Sequence, residues 1–112
     1  MKVYSRNRKK RVIKRKEFKK SNICISNHTI DRLKERTDIT SEEIFYNMLK
    51  FYPIFYIGDE YYRVDDIVFV AERSHFKNDN TIYIKTVLGS IENIPWLVEI
   101  SYIKKTYGKL YL

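Results

Sequence analysis

The apolar residues of this chain change their spacing at Pro53. Before it they recur at the three- and four-residue intervals of a helix; after it they fall in short runs with the two-residue period of half-buried strands. Pro53 ends the helix before it, because proline lacks an amide hydrogen and its ring crowds the preceding turn. Helices on one side of such a switch and strands on the other predict an α+β domain. The expected form is two N-terminal helices packed on a three- to five-stranded antiparallel sheet. With 112 residues there is room for one domain of this kind and one modest core.

The first helix is expected over residues 28–37, with Ser26 or Asn27 as its cap and Ile30 and Leu33 as its apolar stripe. Ile23 and Ile25 before it alternate with polar neighbours, as in a very short strand. Asp38 and Ile39 break the pattern. Thr40-Ser-Glu-Glu43 then has the form of a capping box and opens a second helix at about 41–51, with Ile44, Phe45, Met48 and Leu49 on one side. Strands are expected at Ile54–Ile57, Tyr61–Val64, Ile67–Glu72 and Thr81–Leu88, and a further one at Leu97–Ile103, where Val98-Glu-Ile-Ser-Tyr102 also fits a helix. The turns between the first four are Gly58-Asp-Glu60, the Asp65-Asp66 pair and Lys77-Asn-Asp-Asn80. In the strand from Thr81, Ile82 and Ile84 point inward and Tyr83 and Lys85 outward. Leu33, Ile44, Met48, Val68, Val70, Ile82 and Ile84 are the expected core.

Charge is segregated. Residues 1–20 carry 11 Lys/Arg and one acid, Glu17, for a local +10; the remaining 11 Lys/Arg and 13 Asp/Glu leave residues 21–112 at −2. Like charges at that density repel, so residues 1–20 are expected to form a disordered basic arm on a nearly neutral body at 21–112. Arg6, Arg8, Lys9, Lys10, Arg11, Lys14, Arg15 and Lys16 are its candidate phosphate contacts. Its partner is nucleic acid, an anionic surface or an acidic protein; a tail that only aids solubility has the same composition. No apolar run is long enough to span a bilayer, and the start lacks the apolar stretch of a signal peptide. A single cysteine, Cys24, excludes an intramolecular disulfide framework and suits a reducing, cytoplasmic setting.

Metal and cofactor chemistry find no support in the residue pattern. Two histidines and one cysteine show no zinc spacing, and three glycines build no phosphate-cradling loop. The most informative constellation is His28, Arg32 and Arg36, which fall at i, i+4 and i+8 of the first helix. An imidazole beside guanidinium groups suits phosphate chemistry, since His exchanges protons near neutral pH and Arg grips phosphate bidentately. A solvated helix face carrying Asp31–Lys34 and Arg32–Glu35 ion pairs fits the same spacing. Arg63 and Arg73 extend the positive surface. Tyr62 and Tyr83, two of ten tyrosines, are the candidate platforms for stacking bases.

The order of these motifs resembles a known group. It comprises the His-x-x-x-Arg-x-x-x-Arg helix, Ile39-Thr-Ser-Glu-Glu-Ile44, Tyr62-Arg-Val-Asp-Asp-Ile-Val-Phe-Val70 and Thr81-Ile-Tyr-Ile-Lys-Thr-Val-Leu88. Over about residues 22–88 the chain resembles small bacterial and phage domains related to the BrnT-like and RelE-like toxins. These belong with the metal-independent ribonucleases that include barnase and the colicin nuclease domains. The resemblance implies RNA as substrate, His28 and Arg32 in the helix motif, and Lys85 with Thr86 as the polar pair of the last matched strand. In such a site His28 is the base, Arg32 and Lys85 the phosphate clamp, Thr86 a hydroxyl donor, and His75 a candidate acid. An acidic antitoxin or a host protein is the corresponding protein partner. A non-catalytic phage or mobile-element protein that binds nucleic acid, or inhibits, through the arm is the alternative.

Overall fold

The computed structural model of the chain describes residues 12–58, 60–76 and 78–93. In chain order it contains α1 (Arg15–Lys20), β1 (Asn22–Ile25), α2 (Asn27–Arg36), α3 (Glu42–Phe51), β2 (Ile54–Gly58), β3 (Tyr61–Val64), β4 (Ile67–Arg73) and β5 (Thr81–Ser90), then a single 3-10 turn at Ile91–Asn93. The fold is α+β. The period change at Pro53 falls between α3 and β2, and from there the chain runs as an antiparallel meander from β2 to β5.

The sheet itself is mixed, not wholly antiparallel. Its order is β1-β5-β4-β3-β2, and β1 pairs with β5 in parallel. Asn80 causes this: its carbonyl accepts from the Asn22 N–H at 2.9 Å, and the Ser21 hydroxyl lies 2.9 Å from its Oδ1. The start of β1 is thereby fixed beside the start of β5, so the two strands leave in the same direction. Among the described residues no helix is long and apolar enough to cross a membrane.

Part of the stretch expected as a basic arm is folded. Residues 12–20 belong to the body: Ile13 and Phe18 are fully buried in the main core, and α1 is a third helix. One aromatic side chain outweighs its cationic neighbours because Lys16, Lys19 and Lys20 stay exposed while Phe18 alone turns inward. Glu17 accepts from the Lys14 N–H at 2.8 Å at one end of α1. Lys50 Nζ caps the other end, donating to the carbonyls of Lys19 at 2.9 Å and Ser21 at 2.7 Å. Residues 1–11, and with them Arg6, Arg8, Lys9, Lys10 and Arg11, lie outside the described residues. So does the strand expected at 97–103.

Helices α1, α2 and α3 lie on one face of the sheet. Phe18 of α1 meets Tyr62 and Phe69 edge-on at 5.5 and 6.0 Å, and Phe45 of α3 meets Phe69 at 5.7 Å. Leu33 of α2 joins Ile82 and Ile84 of β5 in the same core. Ser26 caps α2 as expected, accepting from the Thr29 N–H at 3.1 Å. The cap of α3 is Ser41, one residue later than the capping-box reading, with its hydroxyl 3.2 Å from the Ile44 N–H. Phe45, Met48 and Leu49 of α3 face inward on a narrower stripe than expected, and Ile44, placed in the core from sequence, is 45% exposed. Val70 and Val68 also leave the expected core. Both project from the opposite face, where Val68 forms a second cluster with Ile57, flanked by Tyr61, Leu88 and Ile91.

Phe18 thus ties α1 to the centre of the sheet. Phe18→Ala is expected to lower stability by about 3–5 kcal/mol, the usual cost of truncating a buried phenylalanine. Urea unfolding followed by circular dichroism measures it; a loss below about 0.5 kcal/mol, the range of a surface change, would mean that α1 is not part of the folded body.

Candidate functional site

Strict alternation along β5 would put Thr86 and Leu88 on the helical side with Ile82 and Ile84. Two bulges prevent this. Ala71 pairs with Ile84 but Val70 with Thr86, which leaves Lys85 as an extra residue; the step from Phe69–Val87 to Val68–Gly89 does the same at Leu88. Lys85 and Thr86 therefore share the face away from the helices, and Val87 returns to the core. The first bulge is held from α2. Thr29, fully buried, has its hydroxyl 3.1 Å from the carbonyl oxygens of both Ile84 and Lys85 and 3.0 Å from the Ser26 hydroxyl. A threonine here supplies the donor that a displaced strand carbonyl otherwise lacks.

On the outer face, Lys85 Nζ lies 3.0 Å from Glu72 Oε1, and His75 Nε2 lies 2.6 Å from Glu72 Oε2. One carboxylate thus bridges an ammonium and an imidazole. Register sets Tyr83 opposite Glu72, and Tyr83 is 41% exposed. The loop after β4 is tied down by Asp79, which accepts from the Ser74 hydroxyl at 2.7 Å and the Thr81 hydroxyl at 2.6 Å. This brings His75 back over Glu72 and leaves Phe76, next to it, 77% exposed. The Lys85 hydrogen bond is the main reason that the Glu72 carboxyl titrates below its ordinary range. His75 acts in the same direction and partial burial opposes both. Glu72 in turn raises Lys85.

The expected catalytic four, His28, Arg32, Lys85 and Thr86, are not gathered on one partner. His28 is exposed in the first turn of α2, and Arg32 Nη1 is 3.1 Å from Glu35 Oε1, the i, i+3 pair that a solvated helix face predicts. Arg36 turns down to donate to the Val87 carbonyl at 3.1 Å. The column His28–Arg32–Arg36 is therefore divided among separate acceptors, and α2 packs on the face opposite to that from which Lys85 projects. Thr86 is half-buried beside Lys85.

Of the remaining candidates, Lys14 and Lys16 are exposed, and Arg15 Nη2 reaches the Phe51 carbonyl at 3.5 Å. Arg63 lies over the Phe55 ring at 5.3 Å, and Arg73 pairs with Glu17 at 3.6 Å on the helical face. Tyr62 is not available for stacking on bases. Its ring is buried and its hydroxyl accepts from the Ile13 N–H at 2.7 Å, while burial pushes the phenol far above its ordinary range. Glu72 is the residue that sequence reading missed. Its only signal was position, at the end of the strand expected over Ile67–Glu72.

Among the described residues no group of three His, Cys, Asp or Glu side chains is placed to hold a metal ion. No family model matches the chain, and no curated protein or solved structure does.

The Glu72–Lys85 pair gives the acid limb of stability a definite sign. A carboxyl whose folded pKa is depressed stabilises the fold above its unfolded value, about 4.5, and that contribution disappears as pH falls through the folded value. Glu72→Gln should therefore be less stable than the native chain at neutral pH, with the gap closing as the solution is acidified below that value. Urea midpoints across the acid range test it, and parallel curves for the two proteins would show that the pair contributes nothing.

Proposed function

We propose that the protein is a metal-independent endoribonuclease whose catalytic groups are Glu72, His75 and Lys85 on the outer face of the sheet. The observation that carries this reading is the Glu72 carboxylate held between His75 at 2.6 Å and Lys85 at 3.0 Å. RNA cleavage through the 2′-hydroxyl needs a base, an acid and a cation for the phosphate, and these three side chains supply one of each. Exposed Tyr83 and Phe76 flank them with ring faces for unpaired bases. The resemblance of the motif order to that of RelE-like and BrnT-like domains favours RNA as the substrate class, and the +10 charge of residues 1–20 favours binding of its backbone.

In this reading the scissile phosphate enters between Glu72 and His75 and replaces their direct contact. Glu72 takes the proton from the 2′-hydroxyl as the 2′-oxygen attacks phosphorus. The bond from phosphorus to the 5′-oxygen breaks, and His75, as imidazolium, delivers a proton to that oxygen. Lys85 balances the charge gathering on the non-bridging oxygens. The products are a 2′,3′-cyclic phosphate and a free 5′-hydroxyl. His28, Arg32 and Arg36 then contribute at most to binding, along α2.

A second reading, a nucleic-acid-binding protein without catalysis, draws on the same basic N-terminal stretch. The two separate on a single-stranded RNA incubated with EDTA. Glu72→Gln and His75→Ala are each expected to slow cleavage by roughly 100-fold or more, the usual contribution of a positioned proton transfer, while His28→Ala leaves it within a few-fold. A substrate with a 2′-deoxy sugar at the cleaved position should resist. Binding of RNA by the native chain with no cleavage would select the second reading, and a large loss in His28→Ala alone would return the chemistry to α2.

A further inference from the structure

The C-terminal end of α3 leaves three aromatic side chains in solvent beside the cationic α1. Phe51 is 70%, Tyr52 48% and Tyr46 36% exposed. Apolar side chains scattered singly over a surface are ordinary, but three rings so close together form a patch. Pro53 keeps the last of them there. The residue before a proline is held extended, so Tyr52, at φ −94° and ψ 156°, leaves the helix instead of continuing its turn.

Two cations tie this end of α3 to α1. Lys50 Nζ, which donates to the carbonyls of Lys19 and Ser21, also lies 5.4 Å from the centre of the Tyr46 ring, and so places that ring beside the last turn of α1. Arg15 Nη2, at the start of α1, reaches the Phe51 carbonyl at 3.5 Å. With Phe18 turned into the core, Lys16 and Lys20 stand one turn apart on the opposite side of α1, and Lys14 and Lys19 are exposed as well. Nearby acids leave this charge in place. Glu17 accepts from the Lys14 N–H and pairs with Arg73, while Glu42 and Glu43 lie in the first turn of α3, at its far end.

We propose that this junction of α1 and α3 binds single-stranded nucleic acid, with bases stacked on Tyr46, Phe51 and Tyr52 and phosphates on Lys16, Lys19 and Lys20. Each nucleotide of a single strand has a charged edge and a flat face, and the junction offers the complement of both. An acidic peptide matches the lysines but brings no series of flat faces. A duplex matches them too, yet keeps its base faces inside the stack. The site shares no residue with the Glu72 group and holds whether or not the protein cleaves RNA.

A fluorescein-labelled oligo(dT) of about 15 nucleotides, titrated with the full chain and followed by anisotropy, tests the site. Lacking 2′-hydroxyls, this probe reads binding apart from cleavage. Phe51→Ala and Tyr46→Ala should each weaken binding roughly fivefold to 100-fold, the range for one lost stacking contact. Phe51→Leu should lose as much, because leucine keeps the apolar bulk without the flat face. Affinity for the oligo(dT)·oligo(dA) duplex should be unchanged in all three. Lys16→Ala and Lys20→Ala should each flatten the logarithmic salt dependence by roughly 0.7, the slope of one single-strand phosphate contact. Lys34→Ala, which removes an exposed lysine of α2, should leave it as it is.

Ring variants that bind oligo(dT) like the native chain would overturn the proposal, as would equal losses on the duplex or a native chain with no affinity for the strand. A native dimer that Phe51→Ala splits into monomers in sedimentation would overturn it too, since a second copy would then cover the rings. Should Tyr46→Ala lose its far-UV circular dichroism signal, Phe51→Leu, at the more exposed ring, decides alone.

Discussion

The hydroxyl of Thr29 is the contact on which the arrangement of this protein turns. A buried threonine at the start of a helix has little to offer packing, yet this one stands within hydrogen-bonding distance of two consecutive carbonyls of β5, both at 3.1 Å. Those carbonyls flank the bulge at Lys85, where the ladder between β4 and β5 skips a residue. The bulge turns Lys85 and Thr86 to one face together and restores Val87 to the core, so the apolar and polar sides of the longest strand are both set there. Through it, the position of α2 on one face governs where a charged group stands on the other.

That coupling explains what could and could not be seen in the sequence. The switch of apolar period at Pro53 marks the boundary between α3 and β2, and the runs at 54–57, 61–64, 67–72 and 81–88 became β2 to β5 with small changes of boundary. These are local patterns, and each residue reports its own element. The parallel pairing of β1 depends on Asn80 meeting Ser21 and Asn22, a contact between segments far apart in the chain, and no spacing rule announces it. Phe18 was hidden differently. A lone aromatic among lysines carries no period, and the charge density of residues 1–20 gives no sign that Ile13 and Phe18 are buried in the core.

The candidate site divides along the same line. Lys85 and Tyr83 were legible as outward residues of an alternating strand. Glu72 was not, because its role depends on a bulge in the partner strand and on the Asp79-tied loop that folds His75 back over it. The helix column of His28, Arg32 and Arg36 was the most conspicuous pattern in the chain. Its arginines nonetheless found ordinary partners, Glu35 and the Val87 carbonyl. Spacing shows which side chains share a face; it does not show whether a nearer acceptor already occupies them.

If Glu72, His75 and Lys85 are the catalytic groups, RNA meets the outer face around Glu72 and not the α2 face. Amide and side-chain NMR shifts on titration with a single-stranded RNA blocked at its 2′-hydroxyls test this without requiring turnover. The largest shifts are expected on Glu72, His75, Tyr83 and Lys85, with His28 and Arg32 changing little. Shifts concentrated on α2, or the absence of any localised response around Glu72, would contradict it.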